Sequence, residues 1–229
     1  MLLSPPSPLP QAAPQGVFVT GTDTGVGKTL TSAILTKAWQ GTYWKPFQTG
    51  LAEEEGDTPT VQRLTGLPDR HFLPPAHAFQ APLAPAAAGL LEGVTLDPDQ
   101  LTLPAVPQAP LIVEGAGGLM VPLTDTMLMI DLIARLGLPV ILVTRSGLGT
   151  LNHTLLSLEA LYRRDIPVLG FITNGPASPQ NSQTLERLGR TRSLHHLPAI
   201  PGTPEPHDIN RITGQFPSWE EIWNLNSPL

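Results

Sequence analysis

Lys28 and Thr29 stand at the end of a glycine-rich turn, Gly21-Thr22-Asp23-Thr24-Gly25-Val26-Gly27, which follows the apolar run 16–20. In such a strand–turn–helix segment, free backbone N–H groups and a helix N-terminus converge on an anionic phosphate. The lysine reaches the outer phosphates and the hydroxyl after it ligates magnesium. The usual spacing is a glycine, four residues, then Gly-Lys-Ser/Thr. Counting back from Gly27 places Thr22 at the first glycine position, with Gly21 one residue earlier. A glycine-rich surface turn before an ordinary helix is the bland alternative. The strand and helix signals on either side favour a phosphate-binding loop and hence a nucleotide.

In an open parallel sheet, ligands bind at the carboxyl ends of the strands, so the residues just after each apolar run carry the next candidates. Lys45 emerges from the run 42–46, with the Thr49 hydroxyl within reach of the same pocket; a solvated strand-end lysine is the other reading. Asp57 precedes a helical stretch and either caps it or holds magnesium near the phosphate loop. Glu114 ends the apolar run Leu111-Ile112-Val113, where a carboxylate costs free energy unless it is paired or near a cation. Beside Thr29 that cation would be magnesium, while a cap or strand-end hydrogen bond is the structural alternative. The small residues Gly115, Ala116, Gly117 and Gly118 then let backbone approach a ligand closely. The turn Gly149-Thr150-Leu151-Asn152-His153 feeds a helix whose free N–H groups suit a carboxylate, or it is only a cap at Thr150. Asn174 and Gly175 end another strand; the amide suits the donor and acceptor edge of adenine, or simply turns the chain. His195 and His196 have no partner at metal-ligand spacing and are expected on the surface.

The elements needed to position these groups follow from the alternation of apolar runs with amphipathic stretches. That pattern is α/β, with a mostly parallel sheet flanked by helices on both faces. Strands are expected at 16–20, 42–46, 110–114, 139–144 and 167–173, with a weaker one near 197–200. Helices are expected at 27–40, 58–66, 127–137, 150–164 and 179–190. Residues 67–110 are irregular and rich in proline and alanine, with a short helix at 84–92; they form a covering flap or a tolerated insertion. Trp219 and Trp223, at helical spacing, predict a terminal helix docked on the core. The 229 residues suit one domain, 16–229, after a disordered proline-rich leader at 1–15. The leader has neither the basic start nor the apolar centre of a secretory signal, and no apolar run approaches the roughly 18 residues a membrane helix requires. A net charge of −6 gives no electrostatic footprint for nucleic acid. The lack of cysteine excludes disulfides, thiolate metal sites and cysteine nucleophiles, and suits a cytoplasmic protein.

Taken in order, the motifs are Gly-Thr-Asp-Thr-Gly-Val-Gly-Lys-Thr at 21–29, Lys-Pro-Phe-Gln-Thr-Gly at 45–50, Gly-Asp at 56–57, Val-Glu-Gly-Ala-Gly-Gly at 113–118, Leu-Gly-Thr-Leu-Asn-His at 148–153 and Asn-Gly at 174–175. From residue 16 to about 203 the chain resembles the dethiobiotin synthetase family of the biotin pathway. The resemblance implies a single-domain P-loop NTPase fold. It also implies a homodimer that uses ATP, Mg2+ and CO2 to close the ureido ring of dethiobiotin from 7,8-diaminononanoate, through a carbamate and a carbamic-phosphoric anhydride. By the same resemblance Thr29, Asp57 and Glu114 would bind magnesium, and Gly25, Val26, Gly27, Lys28, Thr29 and Leu30 would wrap the phosphates, with Gly115, Ala116 and Gly117 completing the ATP site. Lys28 and Lys45 would be the catalytic cations, stabilising the carbamate and the phosphoryl group passed to it. Thr49 would hold the substrate near its reacting end, and Leu151 and Asn152 of the partner subunit would take its distant carboxylate. Asn174 and Gly175 would face adenine, with Pro201, Gly202 and Thr203 closing the other side. Some family members carry glutamate where this chain has Gly25, so any role for that carboxylate is absent. A cobyrinate-type amide synthase would require a cysteine nucleophile in a second domain. A partition ATPase would carry an extra lysine five residues before the loop lysine, where this chain has Asp23.

Overall fold

The structure is a computed structural model that describes Leu3 and residues 7–10, 14–97, 100–106 and 108–224. The chain runs β1 (Gly16–Gly21), α1 (Lys28–Trp39), β2 (Thr42–Trp44), β3 (Phe47–Gln48), α2 (Asp57–Thr65), a 3-10 turn at Asp69–His71, β4 (Phe72–Leu73), β5 (His77–Ala78) and α3 (Pro85–Glu92). It continues through β6 (Leu111–Gly118), α4 (Met129–Leu136), β7 (Val140–Arg145), α5 (Thr150–Tyr162), β8 (Val168–Asn174), α6 (Pro179–Gly189), β9 (Ser193–Leu197), α7 (Pro206–Thr213) and α8 (Trp219–Asn224). Seven strands form one sheet in the order β4-β2-β6-β1-β7-β8-β9, and every neighbouring pair is parallel. β3 and β5 make a separate parallel pair.

Both faces of the sheet are covered, which is why its central strands read as unbroken apolar runs. Alternate residues feed two clusters. Val17, Val19, Ile112, Ile141 and Val143 pack under α1, α2, α7 and α8, meeting Ile34, Val61, Ile209 and Trp223. Phe18, Leu111, Val113, Leu142 and Phe171 pack under α4, α5 and α6, meeting Ile133, Leu158 and Leu185. After β1 the chain crosses toward β2, and after β7 it crosses toward β8 on the other side. The C-terminal strand ends therefore open a crevice at β1, where such sheets bind ligands.

The elements depart from the sequence pattern in a few places. The strand expected at 42–46 stops at Trp44, because Pro46 has no N–H for a ladder and the chain turns into β3. β6 runs on to Gly118, which pairs with Gly21 after a register irregularity. The weak last strand lies at Ser193–Leu197, not near 197–200; Pro198 and Pro201 remove donors beyond Leu197. This corrects the placing of His195 and His196 on the open surface. Both are half-buried on edge strand β9, His195 with its ring 4.9 Å from that of Phe216 and His196 with Nδ1 3.0 Å from Thr173 Oγ1. α7 was not foreseen; Pro206 opens it and Asp208 Oδ2 accepts the Glu205 N–H at 3.2 Å. The tail docks as expected, with Trp219 5.2 Å from Trp39 and Trp223 buried. Of the leader expected at 1–15, residues 1, 2, 4–6 and 11–13 lie outside the described residues; Leu3 and Leu9 pack against the two clusters. No described helix is long and apolar enough to cross a membrane.

The start of the central strand pair leaves no room for a side chain. A Cβ on Gly16 would lie 1.9 Å from the backbone oxygen of Leu111. Gly16→Ala is expected to cost about 1–3 kcal/mol through forced backbone displacement, measured as a lower urea midpoint; an unchanged midpoint would show that β1 and β6 can part there freely.

Candidate active site

The loop between β1 and α1 depends on glycine at two places. Gly25 and Gly27 have φ of 69° and 97°, the left-handed region that side chains resist. Gly27 also abuts Asn174, whose Nδ2 would lie 1.8 Å from a Cβ there. Gly27 is the N-cap of α1 and supplies no side chain, so the first-turn N–H groups face outward for an anion. Asp23 shapes the rest of the turn. Its Oδ1 accepts the Thr24 N–H at 2.7 Å, its Oδ2 pairs with Arg145 at 2.8 Å, and its carbonyl accepts Lys28 Nζ at 2.9 Å. Burial lowers the Lys28 pKa, and the nearby Glu114 charge offsets only part of that shift.

Beside the loop, four elements bring two carboxylates and one ammonium together. Glu114, in β6, is fully buried. The Thr29 hydroxyl, in the first turn of α1, lies 2.8 Å from Asp57 Oδ1 and 3.0 Å from Glu114 Oε1. Lys45 Nζ donates to Asp57 Oδ2 and, at 3.2 Å, to Glu114 Oε1. Tyr43, in β2, donates its hydroxyl to Glu114 Oε2 at 2.9 Å. Asp57 is the first residue of α2, and its N–H is received by Gln48 Oε1 at 2.9 Å while Gln48 Nε2 donates to the Thr49 carbonyl at 2.8 Å. Gln48 thereby ties the start of α2 to the strand end that carries Lys45. Asp57 is no side-chain cap: Gly56 is the N-cap, and both Asp57 oxygens turn toward the cluster.

Thr29, Lys45, Gln48, Asp57 and Glu114 line a cavity of about 590 Å³ together with Gly25, Gly27, Lys28, Thr49, Ala116 and Gly117, while Tyr43 stands behind Glu114 and outside the lining. The lining also includes the apolar residues Pro82, Leu83, Ala84, Pro85 and Val121, with Thr24 and Glu54. Thr29, Asp57 and Glu114 direct hard oxygen donors to one place, a set suited to a small divalent cation that fills its remaining positions with water and phosphate oxygens.

Other candidate residues lie around this centre. Val26, in the loop, is buried, and Leu30, in the first turn of α1, packs on the core. Gly115 sits behind the lining, where a Cβ would lie 2.9 Å from the Phe18 ring. Asn174 Nδ2 donates to the Val26 carbonyl at 3.2 Å, so the end of β8 is tied to the underside of the loop, with Gly175 against Ser146. Pro201, Gly202 and Thr203 form an exposed turn after β9 and do not line the cavity. Leu151 is partly buried and Asn152 exposed at the start of α5, whose N-cap is Gly149. The reading of Thr150 as a cap is overturned: it is buried, with its hydroxyl turned to the Arg145 carbonyl and to Thr144 and Thr154. Sequence reasoning gave no role to Tyr43, Gln48 or the wall 82–85. Tyr43 had one available signal, its position two residues before Lys45 in a strand, which sends both to one face.

The ion cluster has a pH signature. Burial is the largest influence on Asp57 and pushes its carboxyl up, but Lys45 and the Thr29 hydrogen bond more than reverse it and leave the pKa below 3.8. Burial likewise pulls Lys45 down most strongly, yet Glu114 and Asp57 together hold its pKa above 10.5. The Asp57 contribution to stability is therefore present above its unfolded pKa and lost as pH falls through the lower folded value. The Lys45 contribution is present below 10.5 and lost as pH rises through its raised value. The stability gap between the wild type and Asp57→Asn, from denaturant unfolding, is expected to shrink as pH falls from about 6 to about 3. A constant gap would mean that the pairing with Lys45 stabilises nothing.

Known proteins resemble this chain over most of its length. A family model described as an AAA domain matches residues 15–207. The biotin biosynthesis bifunctional protein BioCD of Bordetella avium is 54% identical over 214 residues, which are 93% of this chain and 46% of that protein, so the chain spans less than half of that relative. The ATP-dependent dethiobiotin synthetase BioD of Paramagnetospirillum magneticum is 49% identical over 187 residues, 82% of this chain and 89% of that protein. Its counterpart in Agrobacterium fabrum is 48% identical over 188 residues, 82% of this chain and 88% of that protein. A crystal structure of a ParA family ATPase from Chlorobium tepidum shares the fold, with a TM-score of 0.52 over 94% of this chain and 98% of that one, at 12% identity. With close to half of its residues identical over nearly the whole length of the two synthetases, the chain belongs to the dethiobiotin synthetase family.

Proposed function

We propose that this protein joins CO2 to 7,8-diaminononanoate and closes the ureido ring of dethiobiotin at the expense of ATP, working as a cytoplasmic homodimer with Mg2+. The observation that carries the reading is the placement of Lys45. Its ammonium lies between Asp57 and Glu114, one hydroxyl away from the phosphate loop, in a cavity lined by both charged and apolar residues.

The chemistry asks for such a site. One amine of the substrate adds to CO2, forming a C–N bond and losing a proton, which gives an anionic carbamate. A carbamate oxygen takes the γ-phosphoryl group of ATP as the bond to ADP breaks. The second amine then attacks the carbonyl carbon, expels phosphate and closes the ring. Each stage gathers negative charge between substrate and nucleotide, so fixed cations and alignment are the main requirements. Lys28 leaves the Asp23 carbonyl for the outer phosphates, and the N–H groups from Gly25 to Leu30 hold the phosphate chain. Lys45 faces the carbamate and the phosphoryl group in transfer. Thr29, Asp57 and Glu114 would hold magnesium, which supplies charge neutralisation at the β- and γ-phosphate oxygens.

The apolar wall from Pro82 to Pro85 with Val121 suits the methylene chain, and Thr49 suits the reacting end. We assign the distant carboxylate to Leu151 and Asn152 of the partner subunit. Support comes from Leu148, just before α5, and Leu156 within it, two exposed apolar side chains near Asn152 that a partner would cover. Asn174 and Gly175, tied to the phosphate loop, mark the adenine side, with Pro201, Gly202 and Thr203 across from them.

Purified protein is expected to yield dethiobiotin, by mass spectrometry, only when ATP, Mg2+, bicarbonate and 7,8-diaminononanoate are all present, with ADP in parallel. ADP without dethiobiotin would replace this reading with another acceptor. Lys45→Ala is expected to lower turnover about 100-fold or more while nucleotide affinity stays within about threefold; near wild-type turnover would remove Lys45 from the chemistry.

A further inference from the structure

The two oxygens of the buried Glu114 carboxylate have different company. Oε1 is approached by the Thr29 hydroxyl at 3.0 Å and by Lys45 at 3.2 Å, on the side of the cavity. Oε2 receives the Tyr43 hydroxyl at 2.9 Å, away from the phosphate loop residues. Tyr43 lies in β2 and Lys45 just past its end, and both reach the same carboxylate on the face of the sheet that carries α1 and α2. β2 pairs with β6 through Tyr43 opposite Ile112, and Ile112 shares its face with Glu114 two residues on. The Tyr43 ring is fully buried in the cluster that includes Val17, Ile34 and Leu35, so packing fixes where its hydroxyl points.

We propose that Tyr43 is a positioning residue of the magnesium–nucleotide site: by engaging Oε2 it holds the Glu114 carboxylate in the orientation that presents Oε1 to Thr29 and the cavity. A carboxylate with one oxygen unheld can rotate about its terminal torsion, which is a broad well. It would then divide its oxygens between the metal position and Lys45. Burial, reinforced by Glu114, keeps the Tyr43 proton in place and makes the hydroxyl a constant donor. Groups that orient a metal-binding carboxylate from behind change metal affinity by about 10- to 100-fold when removed. The inference rests on the magnesium and nucleotide part of the function proposed above, and not on the identity of the acceptor.

Tyr43→Phe keeps the ring and removes only the donor. Titration of the ADP complex with Mn2+, followed by electron paramagnetic resonance, is expected to show at least about 10-fold weaker metal binding, with ADP affinity in the absence of metal unchanged. In a Glu114→Gln background the same substitution is expected to add no further loss. Metal affinity within about twofold of wild type, with only a lower melting temperature, would reduce Tyr43 to a filler of the core and overturn the proposal. So would a full-sized effect that persists in the Glu114→Gln background, because the tyrosine would then not act through Glu114.

A second measurement leaves the site intact if the variant does not fold. The chain has two tyrosines, Tyr43 and Tyr162, so protein made with 3-fluorotyrosine gives two fluorine signals. The Tyr43 signal, assigned with Tyr162→Phe, is expected to move when Mg2+ is added to the ADP complex. A signal indifferent to Mg2+ would count against the proposal whether or not dethiobiotin is formed.

Discussion

A negative charge buried at the end of an apolar strand is the constraint on which the site depends. Glu114 has no exposed surface, and an isolated carboxylate in such a place would neutralise or unfold its surroundings. It is held because β2 delivers Tyr43 and Lys45 and α1 delivers Thr29, while α2 adds Asp57 as a second partner for the same ammonium. Removing one member of a buried pair costs about 3–5 kcal/mol, whereas an exposed pair such as Arg163 and Glu159 contributes at most about 1 kcal/mol. The strand registers are therefore coupled to the charges. Val19 lies opposite Glu114 and Trp44 opposite Val113. A slip of one residue would send Glu114 to the other face, among Phe18 and Met129, with no cation in reach.

The two lysines of the site are held in opposite electrostatic states. Lys45 touches both carboxylates, and these hold its pKa up in spite of its burial. Lys28 is poorly compensated: its direct partner is a neutral carbonyl, and burial pulls its pKa down. The Asp23 carbonyl holds the Lys28 ammonium over the turn at 2.9 Å. Asp23 contributes to this state through its backbone, while its side chain pairs with Arg145 and receives the Thr24 N–H. The place where a partition ATPase carries a second lysine is thus occupied by an acid that shapes the turn, although the overall fold is shared with a ParA family protein.

What the sequence made legible had local causes. The central strands were readable because burial on both faces makes them uniformly apolar, Lys45 and Glu114 because each ends an apolar run with a chemically costly group, the loop because of its glycine spacing, and Asp57 because it stands at a helix start. Tyr43 was hidden because a buried tyrosine in a strand resembles any core aromatic until its hydroxyl partner, 71 residues away, is known. Gln48 was hidden for a related reason, since its partner is a backbone N–H nine residues on and backbone groups leave no trace in sequence. The wall at Pro82–Pro85 has no periodicity to read, being irregular backbone placed by tertiary contact. β9 was misplaced because its histidines look polar, yet they pack on an edge strand beside Phe216 and Thr173.

The phosphate loop and the end of β8 are not independent. A Cβ on Gly27 would collide with the Asn174 amide, and that amide donates to the Val26 carbonyl from directly beneath the loop. Asn174 in turn continues β8, whose backbone carbonyl at Asn174 accepts the Ser146 N–H at 3.1 Å at the end of β7. A displacement of the loop by arriving phosphates is thereby felt at Asn174 and Gly175, the side assigned to adenine, through packed backbone and without a flexible linker. The requirement for glycine at position 27 follows from this close approach as much as from its φ of 97°. A larger residue there would have to move the loop, the asparagine, or both, so the turn before α1 and the end of β8 would shift together.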